Sequence, residues 1–175
     1  DLIKYDREDR IGVITINRPG KRNAMTAAMI SAYLQAIHSA GKDGDIHALI
    51  ITGAGGSFCA GADLQEVFDS SNGDAGLPDN PEDRERWWPA VECAVPVIAA
   101  VDGMAVGMGA EITCQCDIRL ATPAAKFAWN FARRGLVPDS GAGTWLLPRL
   151  IGVQKALRLL YTGEWLEAED ALACG

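Results

Sequence analysis

The spacing of apolar side chains changes several times along this chain, and each change predicts an element. Leu2 to Asp6 and Gly12 to Asn17 cluster or alternate β-branched residues on either side of Glu8-Asp9-Arg10, which predicts a hairpin. Arg18-Pro19-Gly20-Lys21-Arg22-Asn23 then turns the chain. From Thr26, a favoured capping residue, Met29, Ile30, Tyr33, Leu34 and Ile37 recur at helical spacing, predicting a helix to about Ala40 that Gly41 to Asp45 stops. Ala48 to Thr52 is a short run of the buried-strand type, and the glycine-rich loop Gly53 to Gly61 follows it. A second apolar run, Val95 to Val101, leads through Gly103, Gly107 and Gly109 into a helical pattern that carries Glu111. Ile118 to Ala121 reads as a strand, Gly135-Leu136-Val137-Pro138 as a loop, and Thr144 to Leu150, Val153 to Tyr161 and Glu167 to Cys174 as helices. Arg84 to Cys93 is compatible with a helix that Pro89 would kink or end. Asp69 to Asp83 mixes Ser, Asn, Gly, Pro and Asp with almost no apolar side chains, which predicts a mobile loop.

Alternating strands and helices indicate an α/β fold with stacked strand layers, and 175 residues suit a single domain over 1–175. At 49% hydrophobic and 22% charged residues, the chain is neither disordered nor fibrous in character. A net charge of -7 argues against nucleic acid as the main partner, because phosphate binding needs a basic face. No apolar run approaches the ~20 residues of a membrane span and no leader pattern opens the chain, so the expectation is a soluble, unexported, cytoplasmic protein. Cys59, Cys93, Cys114, Cys116 and Cys174 are odd in number and lack metal-ligand spacing, so reduced structural thiols and no metal site are expected.

Candidate chemistry lies where strands give way to helices. Glycines at 103, 107 and 109 let the backbone turn tightly and bring bare N–H groups near a ligand, and the first N–H groups of a helix have no partner within it. Glu111, two residues beyond, puts a carboxylate beside that donor site. With the loop Gly53 to Asp63 aimed at the same place, each loop could supply one N–H to an oxyanion. Other glycine motifs fail. Ile112 stands where a dinucleotide fingerprint needs its third glycine, there is no Gly-Lys-Ser/Thr phosphate loop, and Cys59 replaces the closing glycine of a serine-nucleophile elbow. His38 and His47 are not placed as catalytic bases.

Four segments, Asn17-Arg18-Pro19-Gly20-Lys21-Arg22-Asn23-Ala24-Met25, Phe58-Cys59-Ala60-Gly61-Ala62-Asp63-Leu64, Ala105-Val106-Gly107-Met108-Gly109-Ala110-Glu111 and Gly135-Leu136-Val137-Pro138-Asp139, together resemble the enoyl-CoA hydratase/isomerase family, the crotonases, in order and spacing. The resemblance implies a crotonase-like spiral of repeated ββα units with C-terminal helices, acyl-CoA thioester substrates, no cofactor beyond the coenzyme A of the substrate, and assembly as a homotrimer or dimer of trimers. The chain looks shorter than the family's usual length at its C-terminal end, where it stops inside a helical pattern. Carried over position by position, the oxyanion hole falls on the N–H groups of Ala62 and Met108. Substrate and coenzyme A contacts fall around Lys21, Arg22, Ala24, Ala60, Ala62, Asp63, Leu64, Met108 and Phe131, with the nucleotide's phosphates near Lys21 or Arg22. The alternative for those two cations is a solvated turn.

One departure bears on the chemistry. Hydratases of the family use two glutamates; the first corresponds to Glu111, but the second falls on Phe131. Asp139 stands where some isomerases and dehalogenases of the family carry an acting aspartate, so Glu111 and Asp139 could form the proton-shuttling pair. Asp139 could equally cap the following helix, and Glu111 could serve only as a favourable charge at a helix N-terminus. Phe127, Trp129, Phe131 and Trp145 would line Asp139's surroundings, and Trp87-Trp88 with Trp129 to Phe131 are either acyl-pocket walls or core. The reading that follows is an enoyl-CoA isomerase, with trans-2-enoyl-CoA hydratase and a catalytically weak CoA-ester binder as alternatives.

Overall fold

The computed structural model describes residues 1–65, 88–138 and 140–175. The predicted loop over 69–83 and the side chains of Trp87 and Asp139 lie outside the described residues. The chain opens with the expected hairpin, β1 (Ile3–Glu8) pairing antiparallel with β2 (Ile11–Ile16). Asp9 makes the reversal at a positive φ of 54°. A 3-10 turn, Pro19–Lys21, leads to α1 (Ala27–Lys42), whose start is capped by Thr26 as its Oγ1 accepts from the Met29 N–H at 3.2 Å.

Strands β3 (Ala48–Gly53) and β4 (Val97–Val101) extend the sheet in parallel, and β6 (Ile118–Ala121) closes it in the order β1-β2-β3-β4-β6. The core sits between this sheet and α1, where Met29, Ile30, Tyr33, Leu34 and Ile37 pack over Ile14, Ile16, Leu49, Ile51, Val97 and Ala99. Ala48 to Thr52 was expected to be buried throughout, yet only Leu49 and Ile51 are fully covered. The intervening residues are half-buried, so this parallel sheet is sealed tightly on one face only.

The second layer is a small sheet, β5 (Met104–Val106), β7 (Lys126–Ala128) and β8 (Leu166–Glu167), that sequence periodicity did not predict. Strands of two or three residues are too short to display a period, and their pairing is long-range: Ala105 meets Phe127, and Phe127 meets Leu166. Units β1-β2-α1 and β4-β5-α2 repeat the ββα pattern, with α2 spanning Met108–Gln115. Three helices complete the described chain: α3 (Gly143–Ile151), α4 (Val153–Thr162) and α5 (Ala168–Ala173). Within 84–93, a stretch compatible with a helix that Pro89 would kink or end, the described residues 89–92 form turns. Pro89 has no N–H to donate and disfavours helical backbone at the residue before it, which suits a turn better than a continuous helix. Among the described residues no helix is long and apolar enough to cross a membrane.

Candidate active site

Parallel strands β3 and β4 deliver their C-terminal ends to the two glycine loops, and these loops run side by side. Cys59 and Ala105 form an isolated parallel bridge. The Val106 N–H donates to the Cys59 carbonyl at 2.8 Å, and the Phe58 and Cys59 N–H groups both donate to the Met104 carbonyl at 3.0 Å. Further along the same pairing, a Cβ added to Gly61 would lie 2.9 Å from the Val106 oxygen and 3.7 Å from the Met108 nitrogen. Only a residue without a Cβ permits that approach, and Gly61 also holds a φ of 97°. The chain at Gly61, one residue before Ala62, thus lies against Val106 and the Met108 nitrogen.

Their amides are placed by the partners of their neighbours. Met25 bridges Ala62 through the Gly61 carbonyl (2.8 Å) and the Asp63 N–H (2.9 Å), which turns the intervening Ala62 N–H away from Met25. Met108 opens α2, where the first N–H groups have no intrahelical acceptor. Among the described residues neither amide donates to a backbone carbonyl. The turn into α2 depends on Gly107, whose φ of 54° with ψ of -121° is closed to L side chains, and its N–H is anchored to the Ala128 carbonyl at 2.8 Å. Gly109, the second residue of α2, packs so closely on Cys59 that an added Cβ would collide with the Cys59 carbonyl oxygen.

Glu111 lies in the first turn of α2 with no solvent exposure. Its Oε2 accepts from Ser140 Oγ at 2.6 Å, and Gly141 and Gly143 pack against the same side chain. The predicted partner Asp139 lies outside the described residues. Phe131, expected from the resemblance to stand in place of a second glutamate, is buried, and its ring tip would lie 3.7 Å from a Cβ on Gly107. Phe127 and Trp129 are likewise buried in the core cluster. Trp145 departs from the expected apolar lining: it is 55% exposed, with the Arg149 guanidinium stacked on its ring at 3.1 Å. Facing solvent satisfies a large amphipathic ring once a cation covers it.

Lys21 and Arg22 are exposed on the turn before α1, and Ala24, Ala60 and Leu64 are half-buried near it. Asp63 is engaged within the protein, since Arg18 bridges its Oδ2 at 2.7 Å and also donates to the Ala24 carbonyl at 3.0 Å. The residue that organises this corner is Asn23, which carried no role in the sequence reading. Fully buried at a left-handed φ of 59°, it donates Nδ2 to the carbonyls of Ala54 (2.8 Å) and Ser57 (2.6 Å), while its Oδ1 accepts from the Arg18 N–H (2.8 Å). An Asn in a turn is the available signal, because this side chain tolerates that conformation and mimics backbone pairing. Ser140 carries no comparable local signal.

The buried thiols beside the site are not nucleophiles. Burial pushes Cys59 up to about 12, opposed by the Gly61 N–H. Cys114 reaches about 12 through burial and then the nearby Glu111 carboxylate, and Cys116 about 12 through burial, opposed by Arg119. A separate cavity of about 640 Å³ opens between α1 and residues 89–94, lined by Leu34, Ile37, His38 and Cys93, apart from both glycine loops.

This chain is similar to known proteins over its whole length. The family model described as enoyl-CoA hydratase/isomerase matches residues 6–175. A Mycobacterium tuberculosis H37Rv protein named "Probable enoyl-CoA hydratase EchA14" is 40% identical over 180 residues, covering 100% of this chain and 68% of that protein. The 1,2-epoxyphenylacetyl-CoA isomerase of Escherichia coli K12 is 38% identical, covering 94% of this chain and 63% of its own length. The crystal structure of an enoyl-CoA hydratase from Mycobacterium tuberculosis H37Rv superposes with a TM-score of 0.85 at 36% identity, covering 100% of this chain and 72% of that one. This chain thus spans about two thirds of the length of these relatives. Sequence match, fold and length of coverage agree, and the chain belongs to the enoyl-CoA hydratase/isomerase family of enzymes, the crotonases.

Proposed function

We propose that this chain is an acyl-CoA enzyme that shifts a double bond in an enoyl-CoA. The thioester oxygen accepts from the N–H groups of Ala62 and Met108, and Glu111 carries the proton taken from or returned to carbon. The observation that carries this reading is the parallel run of residues 59–62 beside 105–108, which ends on two amides without a backbone acceptor among the described residues. Loss of an α-proton turns the thioester into an enolate, and two fixed dipoles aimed at that oxygen stabilise the charge as it forms. One such donor contributes about 2.7 to 4 kcal/mol to the transition state.

Isomerisation is favoured over hydration by Phe131. Water addition needs one group to activate water and another to manage the proton on carbon, and an apolar ring supplies neither. Asp139 serves in this reading as the second proton carrier. Hydration remains the second reading, since relatives carry the hydratase name. Lys21 and Arg22, exposed on their turn, meet the phosphates of the coenzyme in either case. Assembly as a trimer belongs to the same reading, supported by apolar side chains exposed on the C-terminal helices: Val153 at 62%, Tyr161 at 72% and Leu172 at 85%.

The test is α-proton exchange in deuterated water with enoyl-CoA substrates, followed by NMR. The wild type should exchange and move the double bond, and Glu111→Gln and Asp139→Asn should each slow this by about 10²-fold or more. Water addition by the wild type would select hydration. No exchange at all would leave a CoA-ester binder and end the enzyme reading.

A further inference from the structure

We propose that Ser140 is a positioning residue for Glu111, and that residues 140–143 are the element that sets where this carboxylate points. The inference rests on the reading of Glu111 as the proton carrier. Ser140 Oγ donates to Glu111 Oε2 at 2.6 Å, within the short range of hydroxyl-to-carboxylate bonds. Beyond it, a Cβ on Gly141 would stand 2.8 Å from the Glu111 Cβ and 3.2 Å from Oε2. On Gly143 it would stand 2.6 Å from Oε1 and 2.9 Å from Cγ. One residue presents the hydroxyl and two present no side chain, so the segment closes around the carboxylate on more than one side.

The same segment is tied to α2 at a second point. Gln115, four residues after Glu111 and thus on the same helical face, donates Nε2 to the Gly141 carbonyl at 3.3 Å. Both buried polar side chains of that face therefore engage residues 140–141. As mere packing this is a costly arrangement. A buried carboxylate needs strong compensating partners, and an apolar residue of similar size would fill the space more cheaply. Such a strap is what a proton carrier requires, because transfer to or from carbon depends on the direction in which an oxygen is held.

The strap acts on the carboxylate and not on the coenzyme-binding turn at 21–24, so its loss should divide the kinetic constants. Ser140→Ala is expected to lower kcat for α-proton exchange by about 10- to 100-fold with KM within about twofold, because a misdirected group costs rate while binding contacts persist. Ser140→Thr, which keeps the hydroxyl, should restore most of kcat. Gly143→Ala, which drives a methyl into Oε1, should lower kcat at least as far as Ser140→Ala. Circular dichroism and thermal melts of each variant establish that it is folded. An unchanged kcat in Ser140→Ala, with an active wild type, would overturn this inference alone; so would a loss that Thr does not rescue and that raises KM equally, the mark of a structural role. A wild type that exchanges no proton would overturn it together with the reading beneath it.

Discussion

Cys59 and Ala105 pair as an isolated parallel bridge, and that single contact sets two distant loops in register. The bridge is held shut by Gly109, on which a Cβ would strike the Cys59 carbonyl oxygen. Gly109→Ala should therefore pry the loops apart, destabilising the protein by about 1–3 kcal/mol as overpacking does, and abolishing proton exchange. Gly44→Ala is the control, because nothing lies within 4 Å of its Cβ position; its urea midpoint should stay within about 0.5 kcal/mol of the wild type. Equal midpoints for the two variants would refute the wedge.

Asn23 joins the turn before α1 to the first glycine loop through two short hydrogen bonds and closes its own turn with a third, from the Arg18 N–H. In Asn23→Ala the carbonyls of Ala54 and Ser57 and the Arg18 N–H lose their partner in a buried place, and the left-handed backbone loses a residue suited to it. A loss of about 2–4 kcal/mol is expected in chemical denaturation. Asn23→Asp should be no milder, since a carboxylate cannot donate to two carbonyls.

Tyr33 points a hydroxyl into the core with no hydrogen-bond partner among the described residues, and burial holds its phenol well above the ordinary value. Removing an unpaired buried hydroxyl should be neutral or favourable. Tyr33→Phe is expected to match or exceed wild-type stability by up to about 1 kcal/mol, and a clear loss would reveal a partner for that oxygen.

The cysteines should separate by reactivity. Cys93 and Cys174, partly exposed, are expected to react with a thiol reagent at pH 8 in the folded protein. Cys59, Cys114 and Cys116 are buried and held near 12, so they should react only on unfolding. The same shifts set an alkaline limit. From pH 9.0, the ordinary value, the unfolded chain releases these protons while the folded protein keeps them until about 12. Stability therefore falls as pH rises through that window, by roughly 1.4 kcal/mol per unit for each thiol at most. A melt series from pH 8 to 11, with Cys59→Ala beside the wild type, measures the slope and its origin.

The hairpin, α1 with its Thr26 cap, the strands of the large sheet and the start of α2 at Gly107 were legible because each is written in a local period or a local cap. The four motifs likewise mark the family from the sequence. The small sheet was not legible, since Met104–Val106 and Lys126–Ala128 owe their existence to one another across the fold.

The sequence by itself determined which residues could bear the chemistry: the glycines that admit unusual turns, a glutamate in the first turn of a helix, and a phenylalanine where a second carboxylate would stand. Only the tertiary structure decided that Gly61 lies against Val106 and the Met108 nitrogen, that Asp63 is engaged by Arg18, and that Ser140 donates to Glu111. Conformational preference is a property of a residue and its near neighbours, and is therefore written along the chain. Convergence of groups far apart in sequence is settled by packing, where a missing Cβ or a single hydroxyl fixes which atoms can meet.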